Sequence, residues 1–352
     1  MDRAAILGTR GAGRRRRAGS GGRRATADRD QGRGPVNKLR FVDVCAGAGG
    51  LALGFEKAGF EPVLLLDKKR IACETLRLNR PEWNVLEMDL LDFDPSEHRH
   101  TYDVDLLSAG LPRVKSSATV ARTETEEELR LLEAAVLLAP SIQPRALIIE
   151  NVPGLVDSPK FEDVREFIRK ELEHLGYRFR WFVLNAADFG VPQDRKQGVL
   201  VALKEQYFDA FVPPAPTVTE HLPVGRALRR SMGARGWPGA DAWAAQAISV
   251  APTLVGGSDN RGGADLGPTG SKKAWERMRV NGGALANAVP GPDDNVSGMI
   301  KLTDAQAACL QSFPEEWRFA GKKTARYRQI GHASPPPVGK ALGMAVATAL
   351  NS

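Results

Sequence analysis

The feature that most constrains the fold is a regular alternation of apolar and helical segments after Leu39. The first apolar segment, LRFVDV, runs into the Gly-rich turn CAGAGG and then into LALGFEKAGF, whose spacing predicts a helix. Further strands are predicted at EPVLLLD, WNVLEMD, VDLLSA, RALIIE, RFRWFVLN and GVLVAL. Strands that are apolar throughout and alternate with helices indicate a parallel sheet covered on both faces. The sequence therefore predicts an α/β protein with a doubly wound, mostly parallel sheet.

Composition changes twice along the chain and predicts three regions. Residues 1–38 are rich in Gly and Arg and are predicted to be a disordered basic tail. Residues 39–204 plus 298–352 form the main domain, and residues 205–297, rich in Pro, Gly and Ala, form a small loop-rich domain. A small domain inserted into a larger one usually leaves a cleft for ligands. Within the main domain, Thr125 and Glu128 predict a capping box, and a final apolar helix from about Val338 to Leu350 should pack back onto it.

The charge of the chain is concentrated in the tail. The net charge is +7, whereas residues 1–38 alone hold eleven Lys or Arg and three Asp, a net charge of +8. Such a tail binds nucleic acid through phosphates without reading sequence, or is simply a solvated leader. Both interpretations stay open.

Several classes of protein are disfavoured by composition. No apolar run approaches a membrane span, and the first residues lack the apolar core of a signal peptide. Three widely spaced cysteines predict neither a disulfide framework nor a metal site. We expect a cytoplasmic protein without metal or membrane partner, associated with the nucleoid when bound to DNA.

Polar groups follow the first three predicted strands. Gly47, Gly49 and Gly50 allow the first turn to approach a ligand closely at a helix N-terminus. Asp67 ends the second strand, where an acid can bind ribose hydroxyls. Asp89 ends the third strand, where a carboxylate can meet an adenine amino group. Together they predict a site for an adenosine-bearing ligand, although each acid alone is equally well explained as a cap.

Further polar residues follow the later strands. Glu150 and Asn151 end the fifth strand, at the same predicted edge of the sheet. Gln193 and Arg195 precede the next strand in DFGVPQDRKQGVLV, and RYRQIGHASPPPVGKALG precedes the last helix. A carboxyl group after four buried residues is more often functional than structural, so Glu150 is a candidate catalytic residue.

Five motifs, in this order and spacing, resemble those of the DNA cytosine-5 methyltransferases: DVCAGAGGLALGFEKAGF, IIENVPGL, DFGVPQDRKQGVLVAL, LTDAQAACLQSFPEEWRF and YRQIGHASPPPVGKALG. The resemblance implies a Rossmann-like class I fold, S-adenosylmethionine as cofactor, double-stranded DNA with one cytosine flipped out of the stack, and target recognition by residues 205–297. It implies the catalytic positions Arg113, Glu150, Asn151 and Arg195. The implied cofactor-binding residues are Asp43, Cys45, Ala46, Gly47, Gly49, Gly50, Leu51, Asp67, Lys68, Asp89, Leu90, Gly110, His332 and Ser334.

One position departs from the family in a way that affects the chemistry. The family adds a cysteine thiolate to cytosine C6, and Glu150 matches the acid that eases this addition. Arg113, in the loop LPRVK, falls where that cysteine belongs. A guanidinium has no lone pair to offer a carbon electrophile, so Arg113 cannot replace a thiolate. The remaining thiols and nearby hydroxyls do not align with the position: Cys45, Cys73, Cys309, Ser116 and Ser117.

Two further departures lie in the last motifs. Gln197 stands where the family pattern Gln-x-Arg-x-Arg has its second arginine, and His332 and Ser334 replace the usual asparagine and valine. Because the cofactor motifs are intact, the pattern favours loss of the ordinary reaction. Arg113 and Lys115 then place two cations on the loop that would close over DNA, where they contact phosphates, fill the gap of a flipped base, or are merely solvated.

Three functions remain in competition. The first is a module that binds S-adenosylmethionine and DNA without transferring a methyl group, alone or beside an active methyltransferase or a nuclease. The second is an active cytosine-5 methyltransferase with a thiol supplied from elsewhere. The third is a methyltransferase acting on RNA, a modified base or a small molecule that needs no cysteine.

Overall fold

The structure is a computed structural model that describes residues 38–114, 122–257 and 264–352, with the backbone alone for residues 122–125. The predicted basic tail up to Asn37 lies outside the described residues, as do Lys115, Ser116 and Ser117. Residues 38–352 form one compact unit.

Seven strands form the central sheet. The strands of the described residues are β1 (Arg40–Val44), β2 (Glu61–Asp67), β3 (Val85–Glu87), β4 (Leu106–Gly110), β5 (Ala146–Asn151), β6 (Tyr177–Asn185), β7 (Gln193–Asp194), β8 (Lys196–Lys204) and β9 (Ala251–Pro252). The sheet order is β3-β2-β1-β4-β5-β8-β6, while β7 and β9 pair separately. Strands β1 to β5 are parallel, and β8 is antiparallel to both of its neighbours. The predicted doubly wound, mostly parallel α/β fold is confirmed.

Helices cover both faces of the sheet. They are α1 (Gly50–Lys57), α2 (Arg70–Asn79), α3 (Arg122–Leu137), α4 (Ala139–Ile142), α5 (Gly154–Asp157), α6 (Glu162–His174), α7 (Glu205–Phe208), α8 (Val224–Gly233), α9 (Ala240–Gln246), α10 (Thr269–Arg277), α11 (Asp304–Leu310), α12 (Lys323–His332) and α13 (Pro336–Leu350). The core on one face includes α3 and α6, and the core on the other includes α1 and α13. None of these helices is long and apolar enough to cross a membrane.

The last helix packs on the first, as the sequence predicts. A Cβ atom on Gly54 of α1 would lie 2.5 Å from the backbone nitrogen of Lys340 and 2.6 Å from the Cα of Gly339. Hydrogen in place of a side chain is therefore required at Gly54, and it brings the backbones of α1 and α13 into direct contact.

Two local predictions are wrong. Helix α3 begins at Arg122, so Thr125 lies inside the helix and is not its N-cap. Arg and Glu residues precede Thr125, and their high helix propensity extends the helix towards the N-terminus. Strand β3 ends at Glu87 rather than at Asp89, whose side chain instead accepts the Leu91 N–H at the start of a short turn.

Residues 205–297 contribute to the same core as the sheet. Buried side chains of this segment, among them Leu254 and Trp275, belong to the apolar cluster that also includes Phe55 and Val346. The segment holds α7 to α10 and β9. Within it, residues 258–263 lie outside the described residues. The boundaries of a target-recognition domain at residues 205 and 297 stay a prediction.

Candidate active site

A cavity of about 720 Å³ lies at the edge of the sheet where β1, β2, β4 and β5 end. Its walls come from these strand ends, the turn before α1, residues 254–257 and helix α12. Of the cofactor-binding residues predicted from the sequence, those that line it are Asp43, Cys45, Ala46, Gly47, Gly50, Leu51, Asp67, Lys68, Asp89, Leu90, Gly110, His332 and Ser334. Arg113 and Glu150 line the same cavity. The structure thus brings the two predicted parts of the site together.

Three predicted site residues lie behind the cavity wall. Gly49 packs into the core, where a Cβ atom would lie 2.6 Å from Leu76 Cδ2. Asn151 and Arg195 are buried and are not among the described residues that line the cavity. The side chains of Asn151 and Arg195 hydrogen-bond to backbone groups of neighbouring segments and hold them in place.

The turn between β1 and α1 presents backbone to the cavity. Cys45 and Gly47 have left-handed φ angles of 53° and 54°. A Cβ on Gly47 would meet nothing within 4 Å, whereas one on Gly50 would lie 1.9 Å from the carbonyl oxygen of Ser334. Gly50 therefore allows the segment before α13 to close one side of the cavity, and Gly47 leaves room for a ligand on the other.

Asp67 braces this turn from the end of β2. Its carboxylate accepts N–H groups from Gly47 at 2.8 Å and Lys69 at 2.7 Å. Burial raises the pKa of Asp67, although both hydrogen bonds act in the opposite direction. Next to it, Lys68 Nζ lies 3.3 Å from Asp89 and 3.0 Å from Glu127 of α3. The two acids that the sequence assigns to adenosine recognition therefore line the same cavity, and Lys68 joins one of them, Asp89, to α3.

Asp43 is fully buried at the end of β1. It accepts a hydrogen bond of 2.5 Å from the Ser108 hydroxyl on β4, and its other oxygen has no hydrogen-bond partner among the described residues. Burial raises the pKa of Asp43 to about 7, against the lowering effect of the Ser108 bond, and the Asp67 charge raises it further. With a pKa of about 7, the Asp43 carboxyl changes charge near neutral pH, beside the turn between β1 and α1.

Arg113 points at Glu150. Arg113 Nη2 lies 3.6 Å from Glu150 Oε1, which is an ion-pair distance just beyond hydrogen-bond range. Neither atom has a hydrogen-bond partner among the described residues, and the Glu150 side chain is 5% exposed. A buried carboxylate is costly without a cation, so the guanidinium compensates the charge of Glu150.

Asn151 fixes the loop that carries Arg113. Its side-chain oxygen accepts the N–H of Val114 at 3.0 Å, and its amide nitrogen donates to the Pro112 carbonyl at 3.1 Å. Leu111 and Val114, on either side, are buried. The backbone on both sides of Arg113 is therefore held, and its side chain is presented to Glu150.

Arg195 joins the sheet to the far wall of the cavity. It is fully buried and donates to the Leu254 carbonyl at 2.9 Å and to the His332 carbonyl at 3.4 Å. Burial and the Arg113 charge lower the pKa of Arg195, and Glu150 opposes this effect. A guanidinium stays charged at neutral pH, so two cations act on one carboxylate.

Two of the three residues predicted to depart from the family pattern in the last motifs, Gln197 and Ser334, are in contact. Gln197 on β8 donates to the Ser334 hydroxyl at 2.7 Å, although the two residues are 137 positions apart. His332 Nε2 lies 3.1 Å from the Gly257 carbonyl, on the wall formed by residues 254–257. Gln197 and Ser334 thus form a buried polar pair that joins β8 to the segment before α13.

The three cysteines differ in their position relative to the cavity. Cys45 lines the cavity, but burial and the neighbouring carboxylates of Asp67, Asp43 and Asp89 raise the pKa of its thiol well above the usual value. The thiolate is the reactive form, so Cys45 is held in its unreactive state. Cys73 and Cys309 are not among the described residues that line the cavity.

Sequence reasoning missed the wall formed by residues 254–257. Leu254 is fixed by Gln193, whose side chain accepts the Leu254 N–H at 2.8 Å and donates to Gln311 at 2.9 Å. Gln193 was the signal in the sequence for this wall, because a buried amide side chain needs hydrogen-bond partners for both its oxygen and its nitrogen. Ser108 was missed as well, and Arg328 and Gln329 were not singled out although they lie in the motif RYRQIGHASPPPVGKALG.

The cavity lies at the carboxyl ends of the strands, as ligand sites do in doubly wound sheets. The fold resembles a DNA modification methyltransferase encoded within an Escherichia coli prophage, with a TM-score of 0.63, 18% identity and coverage of 89% of this chain and 100% of that one. The fold is that of the class I S-adenosylmethionine-dependent methyltransferases.

Sequence comparison identifies the family within this class. A family profile for C-5 cytosine-specific DNA methylases matches residues 39–348. The Type II methyltransferase M.NaeI of Lentzea aerocolonigenes is 43% identical over 90% of this chain and 76% of its own length. The Type II methyltransferase M.NgoMIV of Neisseria gonorrhoeae is 40% identical over 88% of this chain and 97% of its own length. The chain belongs to the C-5 cytosine-specific DNA methylase family.

Proposed function

We propose that this protein binds S-adenosylmethionine and double-stranded DNA but does not by itself transfer a methyl group to cytosine C5. The observation that carries the proposal is the Arg113 guanidinium, 3.6 Å from Glu150 in the cavity shared with the cofactor residues. A chain of this family needs a nucleophile at that point, and a guanidinium is not one.

The residues of the cavity fit the cofactor. The turn from Cys45 to Gly50 leaves open space at Gly47, and Asp67 and Asp89 supply carboxylates for hydroxyl and amino groups. S-adenosylmethionine, when bound, supplies an electrophilic methyl group. Asp67 would hold the ribose, and Asp89 the adenine edge, while Asp43 adds a buried carboxyl beside the turn.

Glu150, the acid of the family reaction, is present, but the cysteine nucleophile of that reaction is not. Glu150 can accept hydrogen bonds from the amino edge of a cytosine, and Arg195 supports the surrounding wall. Activation of C5 requires an electron pair delivered to C6. Burial and three carboxylates keep the thiol of Cys45, which lines the cavity, in its protonated form. The site therefore keeps the acid of the family reaction but lacks a group that could activate the base.

The names of the relatives support the DNA part of the proposal. M.NaeI and M.NgoMIV are Type II methyltransferases, a class that modifies DNA in restriction-modification systems. We propose duplex DNA as the macromolecular partner, with residues 205–297 contributing to recognition. An active methyltransferase or a nuclease acting at the same sites is the partner that such a module would serve.

Methyl transfer from labelled S-adenosylmethionine to unmethylated plasmid DNA tests the proposal. We expect no 5-methylcytosine from the purified full chain. Arg113→Cys should produce label above background, because Glu150 and the cofactor cavity are already in place. Arg169→Cys, which puts a thiol on the exposed face of α6, is the matched control and should remain inactive. Robust incorporation by the unmodified chain contradicts the proposal.

A further inference from the structure

Arg113 occupies the part of the cavity that a base would need in order to reach Glu150. We infer that this side chain substitutes for a flipped base, so that the protein binds DNA with every base pair stacked. The inference rests on the proposed DNA-binding function and specifies the form of DNA that the site accepts.

The chemistry of the two groups supports the substitution. A carboxylate recognises cytosine by accepting from its exocyclic amine. The planar guanidinium of Arg113 offers the same kind of N–H donors to the same carboxylate, with a positive charge in addition. Nη2 of Arg113 lies 3.6 Å from Oε1 of Glu150, and neither atom has a hydrogen-bond partner among the described residues. The cationic N–H edge of Arg113 therefore lies beside the carboxylate oxygen that a base would have to reach.

The position of Arg113 is fixed rather than incidental. Asn151 bonds the backbone at Pro112 and Val114, and Leu111 and Val114 are anchored in the core. The side chain is 28% exposed, so its outer part faces the opening of the cavity. A base entering from DNA would meet the guanidinium before it met Glu150.

The charges make displacement of Arg113 unfavourable. Glu150 is buried, and the guanidinium of Arg113 lies at ion-pair distance from it. A neutral base in place of Arg113 would remove this cation from beside a buried carboxylate, a change that strongly destabilises buried pairs. The protein would also have to unstack the base. Neither cost arises when DNA is bound unflipped.

Fluorescence of 2-aminopurine in bound duplexes tests the inference. Duplexes are first selected from a random pool by the full chain with S-adenosylhomocysteine, which defines the bound sequence. Each position of that sequence is then replaced in turn by 2-aminopurine, whose emission rises when the base leaves the stack. We expect no rise at any position with the unmodified chain and a rise at one position with Arg113→Gly, in which the pocket is open.

Affinity for weakened duplexes provides a second readout. Proteins that flip a base prefer a mismatched target, so Arg113→Gly should bind a mismatch roughly tenfold more tightly than matched DNA, and the unmodified chain about equally. Arg169→Gly, at a half-buried position of α6 remote from the cavity lining, is the control for loss of an arginine.

The outcomes separate the inference from the proposed function. A fluorescence rise with the unmodified chain overturns the inference while leaving DNA binding intact. Equal behaviour of a folded Arg113→Gly and the unmodified chain also overturns it, because the guanidinium would not be what excludes the base. Failure of both proteins to retain any duplex overturns the proposed DNA binding together with the inference. If Arg113→Gly does not fold, the measurement on the unmodified chain decides alone.

Discussion

Asp43 is a residue whose environment, rather than its identity, sets its chemistry. In the sequence it is one of four acids near predicted strand ends, the others being Asp67, Asp89 and Glu150. In the structure it is fully buried, with a single hydrogen bond from Ser108 and an oxygen that has no partner among the described residues. Burial raises the pKa of Asp43 to about 7, so its ionised form is disfavoured at the pH where most carboxylates are charged.

This shift predicts a pH-dependent stability. The folded-state pKa of about 7 lies above the unfolded value, so the contribution of Asp43 is fully present below about pH 4 and is lost as pH rises through 7. The free energy of unfolding of the unmodified chain should therefore fall, relative to Asp43→Asn, by up to roughly 4 kcal/mol between these limits.

Urea denaturation at pH 4.5, 6 and 8, all at about 25 °C, measures the difference. Asp293→Asn, at an exposed loop position, is the control for removal of a charge. A constant difference between the unmodified chain and Asp43→Asn across this range would show that the carboxyl keeps an ordinary pKa.

At the scale of elements, the contact between α1 and α13 determines how the cavity is closed. Helix α1 begins at the end of the turn that follows β1, and α13 follows the segment that places Ser334 over Gly50. Gly54 lets the two helices touch through their backbones. A backbone contact cannot relax by a rotamer change, so the spacing of the two helices depends on this residue.

Gly54→Ala should separate α1 from α13. Overpacking of this kind costs about 1–3 kcal/mol of unfolding free energy and should also weaken cofactor binding, because the Gly50–Ser334 contact shifts with it. Gly270→Ala is the matched control, since a Cβ there meets nothing within 4 Å in α10. It should leave stability unchanged or raise it by roughly 0.4–1 kcal/mol. Denaturation midpoints that agree between the two variants would contradict the role of Gly54.

At the scale of the whole molecule, the cavity joins distant parts of the chain. One wall comes from the strand ends between Asp43 and Glu150, and the other from residues 254–257 and α12. Arg195, Gln193 and Gln311 connect these walls through buried hydrogen bonds. A ligand that spans the cavity should therefore stabilise the described unit as a whole.

Thermal unfolding with S-adenosylhomocysteine measures this linkage. A ligand that binds only the folded state at a hundred times its Kd adds about 2.7 kcal/mol to the free energy of unfolding. We expect this stabilisation in the unmodified chain and a smaller one at the same concentration in Asp89→Asn, which loses a carboxylate of the cavity wall. Asp92→Asn, three residues further on and exposed, should behave like the unmodified chain. Equal stabilisation in the Asp89 and Asp92 variants would remove Asp89 from the cofactor site.

Much of the cavity could be predicted because it depends on local patterns. The carboxyl ends of parallel strands meet at one edge, so recognising strands was enough to bring Asp67, Glu150 and the glycine turn together. The capping box at Thr125 failed for the complementary reason. It is a short motif with weak energetics, and the helix propensity of the preceding residues determined where α3 begins.

By itself, the sequence determined the strand and helix alternation, the parallel edge with its acids, and the presence of a permanent cation at Arg113. Only the tertiary structure decided that this cation faces Glu150, that Gln197 meets Ser334, that Ser108 faces Asp43, and that residues 254–257 close the cavity. The physical reason is the distance along the chain over which each kind of interaction acts. Backbone periodicity and residue chemistry act over a few positions, whereas these contacts join residues 37 to 137 positions apart and depend on how the whole core packs.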